Sequence, residues 1–390
     1  MNELAQFFTK EPFSILLANS IKFNDPKLVL DLGIGDGSLT TAAQMRWKNA
    51  KFCGVDLDRN RVESLTTTHS NVNLFNLNSL DLNLSEKINV KVGSVDIAVC
   101  NPPYLNLEKT EKYSQLLENS GLKNSVKLIS YTTDLLFIAQ NISLLKTGGV
   151  LGTILPAGLI SGHHFELFRK DLILNHSIEN IIELESKIFK KTEAKTFILI
   201  LKKGTSSHET ILLSKANRKG EIVDSFYVNK LDLIYRMDFE YHANKKMVNS
   251  NGKTLLSLVK DIKRGNITNL DLKKTGLPYF HTTDFKNFDG ILQSQNNRYD
   301  ALTKQPILAQ KGDILIGRVG KTCHTQVLIV ESGIIAISDC IYRVRAPKVN
   351  QKRILSYLQS IDGITNLKVI KHGVCAQVIS KKNLENLYIK

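Results

Sequence analysis

The chain has 390 residues, 42% apolar and 23% charged, with a formal net charge of +15. That length accommodates two domains with cores of their own, and the composition is that of a globular protein without low-complexity runs or internal repeats. The longest apolar run, GGVLGTILPAGLI, is short and broken by Gly and Pro, so no segment is expected to span a bilayer.

In chain order, KLVLDLG (Lys27–Gly33) reads as a buried strand ending in glycine, and LTTAAQMRW continues it as a helix. AKFCGVDLD (Ala50–Asp58) is a second strand closing on acids, followed by a polar helix. NVNLFNLNSL supplies a third strand and VDIAVC (Val95–Cys100) a fourth. Apolar residues at helical spacing predict a helix over Ser125–Leu145. The strand GVLGTILP, a helix around Phe165–Leu174, and the strands IENIIEL and KTFILIL follow. Continuous apolar strands separated by helices predict an α/β fold, a Rossmann-like doubly wound and mostly parallel sheet covered on both faces. Past Gly204 the strands shorten, and Tyr241–Lys253 reads as a polar linker. Residues 1–240 thus form one expected domain, and 250–390 a second, mostly β domain with one helical stretch, QKRILSYLQS.

The charge is unevenly shared. Residues 1–240 hold 28 Lys+Arg against 27 Asp+Glu, whereas 241–390 hold 24 against 10, a balance of +14. A basic module beside a neutral one suggests a polyanion partner. The five cysteines (Cys53, Cys100, Cys323, Cys340, Cys375) are scattered and never in C-x-x-C spacing. They fit small packing residues in a reduced cytoplasm better than disulfides or a metal site. MNELAQFFTKEPF lacks a basic region followed by a long apolar core, so no secretory signal is expected.

Two motifs carry chemistry. VLDLGIGDGSLT (Val29–Thr40) puts Gly33, Gly35 and Gly37 in a strand-to-helix turn, where a ligand can approach the backbone closely. The pattern D-x-G-x-G-x-G resembles the first motif of S-adenosylmethionine-dependent methyltransferases more than the dinucleotide fingerprint G-x-G-x-x-G. By that resemblance Asp31 borders the methionine part of the cofactor, with Gly33 and Gly35 beside it. Asp56, preferred to Asp58 because it directly follows the apolar run, accepts hydrogen bonds from both ribose hydroxyls. Leu57 lies against the adenine face. Where the family carries an acid for the adenine amino group this chain reads Asn78-Ser79, and the Asn carbonyl oxygen can accept that proton. Asp81 is the other candidate. Thr9 in FFTKEPF matches the segment that caps the methionine end, although Lys10 and Glu11 do not match its prolines.

The second motif, Asn101-Pro102-Pro103-Tyr104, ends the fourth strand. Proline has no amide hydrogen and a fixed φ, so this loop offers carbonyl acceptors without the usual donors. Asn101 adds a side-chain oxygen. Two converging acceptors suit an NH2 group, and binding both hydrogens aims its lone pair at an electrophile, here the sulfonium methyl. Tyr104 offers a flat face to a planar ring. The order of motifs resembles the gamma class of N6-adenine DNA methyltransferases over about residues 5–205. That resemblance implies an adenine extruded from double-stranded DNA and held between Tyr104 and Phe189.

Other motifs carry less. ESK (Glu185–Lys187) lacks an upstream PD partner for nuclease chemistry. GRVGKT has Leu315 where a P-loop needs its first glycine, and His163-His164 lacks a ligand partner at metal spacing. No metal is expected. TGLPYFHTTDF, LAQKGDILIGRVGKT and ISDCIYRVR resemble, in that order, the target-recognition domains of type I restriction specificity subunits. The resemblance implies DNA contacts by Lys263, Arg264, Arg318 and Lys321. The expected protein is a monomeric, cytoplasmic, site-specific adenine methyltransferase using S-adenosyl-L-methionine, with any restriction nuclease a separate protein. The runners-up are the same chemistry on ribosomal RNA or a protein glutamine, and a non-catalytic specificity subunit.

Overall fold

A computed structural model of the chain describes residues 9–185, 195–204, 208–247, 252–300, 302–372 and 377–390. Phe189 and Cys375 lie outside the described residues. The chain divides into two compact units, Met1–Phe239 and Glu240–Lys390.

The first unit follows the order α1 (Glu11–Ser20), β1 (Leu28–Leu32), α2 (Ser38–Arg46), β2 (Lys51–Asp56), α3 (Arg59–Thr68), β3 (Val72–Asn76), β4 (Val95–Cys100). Then come α4 (Glu111–Asn119), α5 (Thr133–Leu144), β5 (Leu145–Pro156), α6 (Glu166–Asn175), β6 (Ser177–Leu184), β7 (Thr196–Lys202), β8 (Thr210–Ala216) and β9 (Ile222–Asn229). These strands make one nine-stranded sheet ordered β3-β2-β1-β4-β5-β7-β6-β8-β9. The run from β3 to β5 is parallel, β7 lies antiparallel between β5 and β6, and β9 closes the far edge antiparallel to β8. The mostly parallel, doubly wound expectation agrees with this topology. β4 is buried at all six positions, which is why its sequence shows no polar alternation. Val29, Ile97, Val99, Val150, Ile154 and Ile198 pack on one face against Phe13, Leu17 and Ile21 of the α1 segment.

Two local expectations are corrected. The helix predicted from Ser125 begins at Thr133, and Lys123–Lys127 is a 3-10 turn. The buried Asp171 carboxylate causes this, accepting from the Asn124 and Ser125 backbone N–H groups and from the Ser125 hydroxyl at 2.7–3.2 Å. Those bonds compete with helix formation. The segment read as a linker instead opens with a helix, α7 (Phe239–Met247). That helix holds no Gly or Pro, and Phe239 and His242 are both buried.

The second unit is a mixed seven-stranded sheet: β10 (Asp261–Arg264), β11 (Tyr279–Phe280), β12 (Ile291–Asn296), β13 (Leu308–Gln310), β14 (Ile314–Gly317), β15 (Val327–Ile337) and β16 (Ile341–Arg345). The path is β10-β16-β14-β15-β11, and β12 and β13 also pair with the long β15. Two longer helices follow, α8 (Lys348–Gln359) and α9 (Ile361–Val369), of which only the first was expected, and a short one over Lys381–Glu385. Gly363 hides α9 from a pattern reading because glycine normally weakens a helix. Here a Cβ would lie 1.9 Å from the Tyr357 carbonyl oxygen, so the sharp turn from α8 requires its absence. Among the described residues no helix is long and apolar enough to cross a membrane.

Candidate active site

The carboxyl ends of β1, β2, β3 and β4 open into one cleft. After β1 the chain turns through Gly33 and Gly35, both at positive φ (76° and 60°). The Gly33 and Ile34 N–H groups donate to the Val55 carbonyl at 2.8 and 3.0 Å. The Gly35 N–H donates to Asp56 Oδ2 at 2.8 Å, and the other Asp56 oxygen accepts from the Asp58 N–H at 2.9 Å. The acid ending β2 therefore fixes the glycine turn, and each of its oxygens keeps a lone pair for a ligand.

Thr9, Gly33, Gly35, Asp56, Leu57, Asn78, Ser79, Asn101 and Pro102, residues from four separate strand ends and the segment before α1, all line this cleft. Leu57 is 60% exposed although apolar. Asn78 Oδ1 accepts from the Leu80 N–H at 2.9 Å, an Asx turn that sets the direction of its amide. Asp81 turns to Lys87 (2.7 Å) and Lys112 (3.4 Å), and its hydrogen bond with Lys87 holds its carboxyl below the usual range. Asp31 lies beneath the lining. It is 2% exposed, with Oδ2 accepting from the Thr40 hydroxyl at 2.7 Å and Oδ1 buried without a partner. Burial pushes its pKa up to about 7 despite the Thr40 bond, and the charges of Asp56 and Asp36 add to the rise.

The loop after β4 is fastened from several directions. Asn101 Nδ2 donates to Thr9 Oγ1 at 3.0 Å, and the Tyr104 hydroxyl lies 3.1 Å from Asn101 Oδ1 and 3.4 Å from the Ile154 carbonyl oxygen. Thr133, the first residue of α5, donates from its hydroxyl to the Pro103 carbonyl and accepts from the Leu105 N–H at 2.9 Å. Burial holds the Tyr104 phenol well above its usual pKa, with the nearby Asp134 adding to the effect, so the hydroxyl remains a donor. Asp134 is itself raised to about 6 by burial. Tyr104 is half-buried behind the loop and is not among the residues lining the cleft.

Arg61 of α3, Tyr113 of α4, and Thr133 and Phe137 of α5 also line the cleft, and sequence reasoning missed all four. Thr133 falls inside the helix predicted over Ser125–Leu145, where nothing marks it out. Phe137 fits the apolar helix pattern, yet its ring sits 3.2 Å from where a Cβ of Gly33 would be.

In the second unit the four basic candidates divide. Arg264 donates to the Asp339 carbonyl oxygen at 2.9 Å and pairs with its carboxylate at 3.0 Å, while Arg318 donates to the same carbonyl oxygen at 2.8 Å. Residues far apart in sequence thus bring two guanidinium groups to one anchor. Lys263 and Lys321 are exposed. Among the described residues no group of three or more His, Cys, Asp or Glu side chains could hold a metal ion.

A parallel run in the order 3-2-1-4-5, completed by an antiparallel seventh strand between the fifth and sixth, is the fold of class I S-adenosylmethionine-dependent methyltransferases. The chain belongs to the N-6 DNA Methylase family, whose model matches residues 2–246. It is 27% identical over 252 residues to the type II methyltransferase M.BsuBI of Bacillus subtilis, covering 58% of this chain and 49% of that protein. It is 29% identical over 213 residues to the type II methyltransferase M.PstI of Providencia stuartii, covering 48% and 39%. The chain thus spans about half or less of the length of these relatives. The type IIG restriction endonuclease BpuSI shares the fold, with a TM-score of 0.57 at 13% identity over 100% of this chain and 59% of that one.

Proposed function

We propose that the cleft binds S-adenosyl-L-methionine and that the loop Asn101–Tyr104 presents the N6 amine of an adenine, flipped out of double-stranded DNA, to the methyl group. The lining suits that cofactor. An acid with spare lone pairs meets a diol at Asp56, an exposed apolar side chain meets a base at Leu57, and an open glycine turn meets the amino-acid end. Bound there, the cofactor supplies an electrophilic methyl on sulfur.

The chain's own residues do the rest. Asn101 Oδ1 accepts one hydrogen of the amine. Thr133 already occupies the Pro103 carbonyl, so the Pro102 carbonyl is the backbone acceptor for the second. Both bonds turn the nitrogen lone pair toward the methyl, and positioning and electrostatics supply the rate. The incoming amine takes over the Asn101 oxygen from the Tyr104 hydroxyl, which retains the Ile154 carbonyl. That exchange leaves the Tyr104 ring to hold the base. Asp31 acts from below on the methionine end, through the glycine turn.

The +14 region, with Lys263, Arg264, Arg318 and Lys321, reads the DNA target. The enzyme works as a monomer in the cytoplasm, as the modification arm of a restriction or defence system or as an orphan.

The observation that carries this reading is that Asn101 lines the same cleft as Gly33, Gly35 and Asp56. Tritium transfer from labelled cofactor tests it, with duplex DNA, RNA and protein offered in parallel. Label should enter adenine of duplex DNA and fall at least a hundredfold in Asn101→Ala. Label in RNA or protein but not DNA overturns the substrate assignment.

A further inference from the structure

We infer that the first unit holds a second ligand site, for a nucleoside polyphosphate, at the end of the sheet opposite the cleft. β5, β6 and β8 run parallel to β1–β4, and β7 and β9 run back beside them. The amino ends of the first three and the carboxyl ends of the other two therefore meet at one edge of the sheet. There they surround a hollow of about 850 Å3. A space of that size takes a whole small ligand. Four lysines line it, Lys22, Lys202, Lys203 and Lys230, against one acid, Glu179. This local excess stands within residues 1–240, whose charges nearly cancel.

Two of the four lysines are spent on the fold. Lys203 donates to the Ser143 and Leu145 carbonyl oxygens at 3.3 and 2.7 Å, and Lys230 pairs with Glu209 at 2.8 Å. Lys22 and Lys202 are exposed and have no carboxylate partner among the described residues. Register puts them on one face with an aromatic ring. Lys202 pairs with Val150, and Ile200, two residues back, pairs with Asn180. Asn180 in turn pairs with Leu212, and Leu212 with Tyr227. Cross-strand partners share a face, as do residues two apart on a strand, so Lys202, Leu212 and Tyr227 point the same way. Val150 and Ile200 pack with Leu17 and Ile21, so this is the face that α1 covers, and Lys22 follows directly on Ile21. Tyr227 lies three strands from Lys202, about 14 Å at the usual spacing. Its side chain is 64% exposed. Unspent cations at one end of a recess and a flat ring at the other complement a molecule with phosphates at one end and a base at the other. A simple inorganic anion would leave the ring unused.

Calorimetric titration of the full chain with ADP, GDP, CDP and UDP, and separately with pyrophosphate, tests the site. At least one of the diphosphates should bind. Its affinity should fall at least tenfold when Lys22→Gln and Lys202→Gln are combined, because charge-assisted hydrogen bonds are lost. Tyr227→Ala should cost about fivefold or more, the scale of base–aromatic stacking. Pyrophosphate should follow the lysines and ignore Tyr227. All three side chains are exposed, so each variant should melt with the wild type. If Tyr227→Ala does not fold, Tyr227→Leu, which keeps the bulk and removes the ring, takes its place. No binding of any diphosphate overturns the inference. So does binding that the two lysine substitutions leave untouched, which would put the nucleotide in the other cleft. Equal affinity for pyrophosphate and nucleotide, with Tyr227→Ala silent, also overturns it and leaves a plain anion patch.

Discussion

Asp31 carries its proton at a pH where ordinary aspartates have lost theirs, and the cause is local. The side chain is sealed under the glycine turn, and one of its oxygens has no donor. A raised folded-state pKa means that the folded protein binds more protons than the unfolded chain between about 4 and 7. The stability it contributes is therefore complete below the unfolded value and is lost as pH rises through about 7. Moving from 3.8 to about 7 corresponds to roughly 4 kcal/mol at the outside. Asp31→Asn keeps an acceptor for Thr40 and removes the titration. Its stability relative to wild type should therefore climb from pH 5 to about pH 7 and level off above it in chemical denaturation. A difference independent of pH would show that the carboxyl is already ionised at pH 5. The acid was legible in the sequence because it precedes the glycines, but its burial was not. The same holds across the site. Residues within the two motifs could be read directly, while Arg61, Tyr113, Thr133 and Phe137 reach the cleft from helices whose approach depends on tertiary packing.

At the scale of elements, α5 works as a clamp on the loop after β4. Its first residue bonds the chain on either side of Tyr104, through the Pro103 carbonyl and the Leu105 N–H. Proline fixes the φ angles of that loop but gives it no amide hydrogens of its own to anchor with, so the anchor must come from outside. Thr133→Val retains the shape and β-branching of the residue and removes both side-chain bonds. Turnover should drop about tenfold to a hundredfold while the affinity for S-adenosylhomocysteine stays unchanged, because the loop carries the acceptor and β1 and β2 carry most of the cofactor site. Equal losses in turnover and cofactor affinity would mean that α5 supports the whole cleft rather than the loop. The strands were readable because burial on both faces writes itself as an unbroken apolar run. The start of α5 was not, because Asp171, distant in sequence, draws Asn124 and Ser125 into a tight turn. The helix α9 was masked for a related reason: the glycine that weakens its pattern is demanded by the turn before it.

Over the whole molecule, charge separates as cleanly as structure does, with near neutrality in residues 1–240 and +14 beyond them. That asymmetry was visible in the sequence, but the way the positive charge is distributed was not. Arg264 and Arg318 share Asp339, which offsets part of their charge and orients them, whereas Lys263 and Lys321 stand exposed. If the second unit holds DNA by its phosphates, bound counterions are released as it binds, and affinity falls steeply with salt. Lys263→Gln and Lys321→Gln should each lower the slope of log affinity against log salt by about one, alike for target and unrelated duplexes. Arg264→Gln and Arg318→Gln should instead narrow the gap between target and unrelated duplexes, because an oriented guanidinium fork can pair with a base edge bidentately, whereas an ammonium acts as a point charge. Fluorescence anisotropy with both duplexes at several salt concentrations separates the two behaviours. Unchanged slopes in all four variants would place the DNA contacts on other residues of the basic unit.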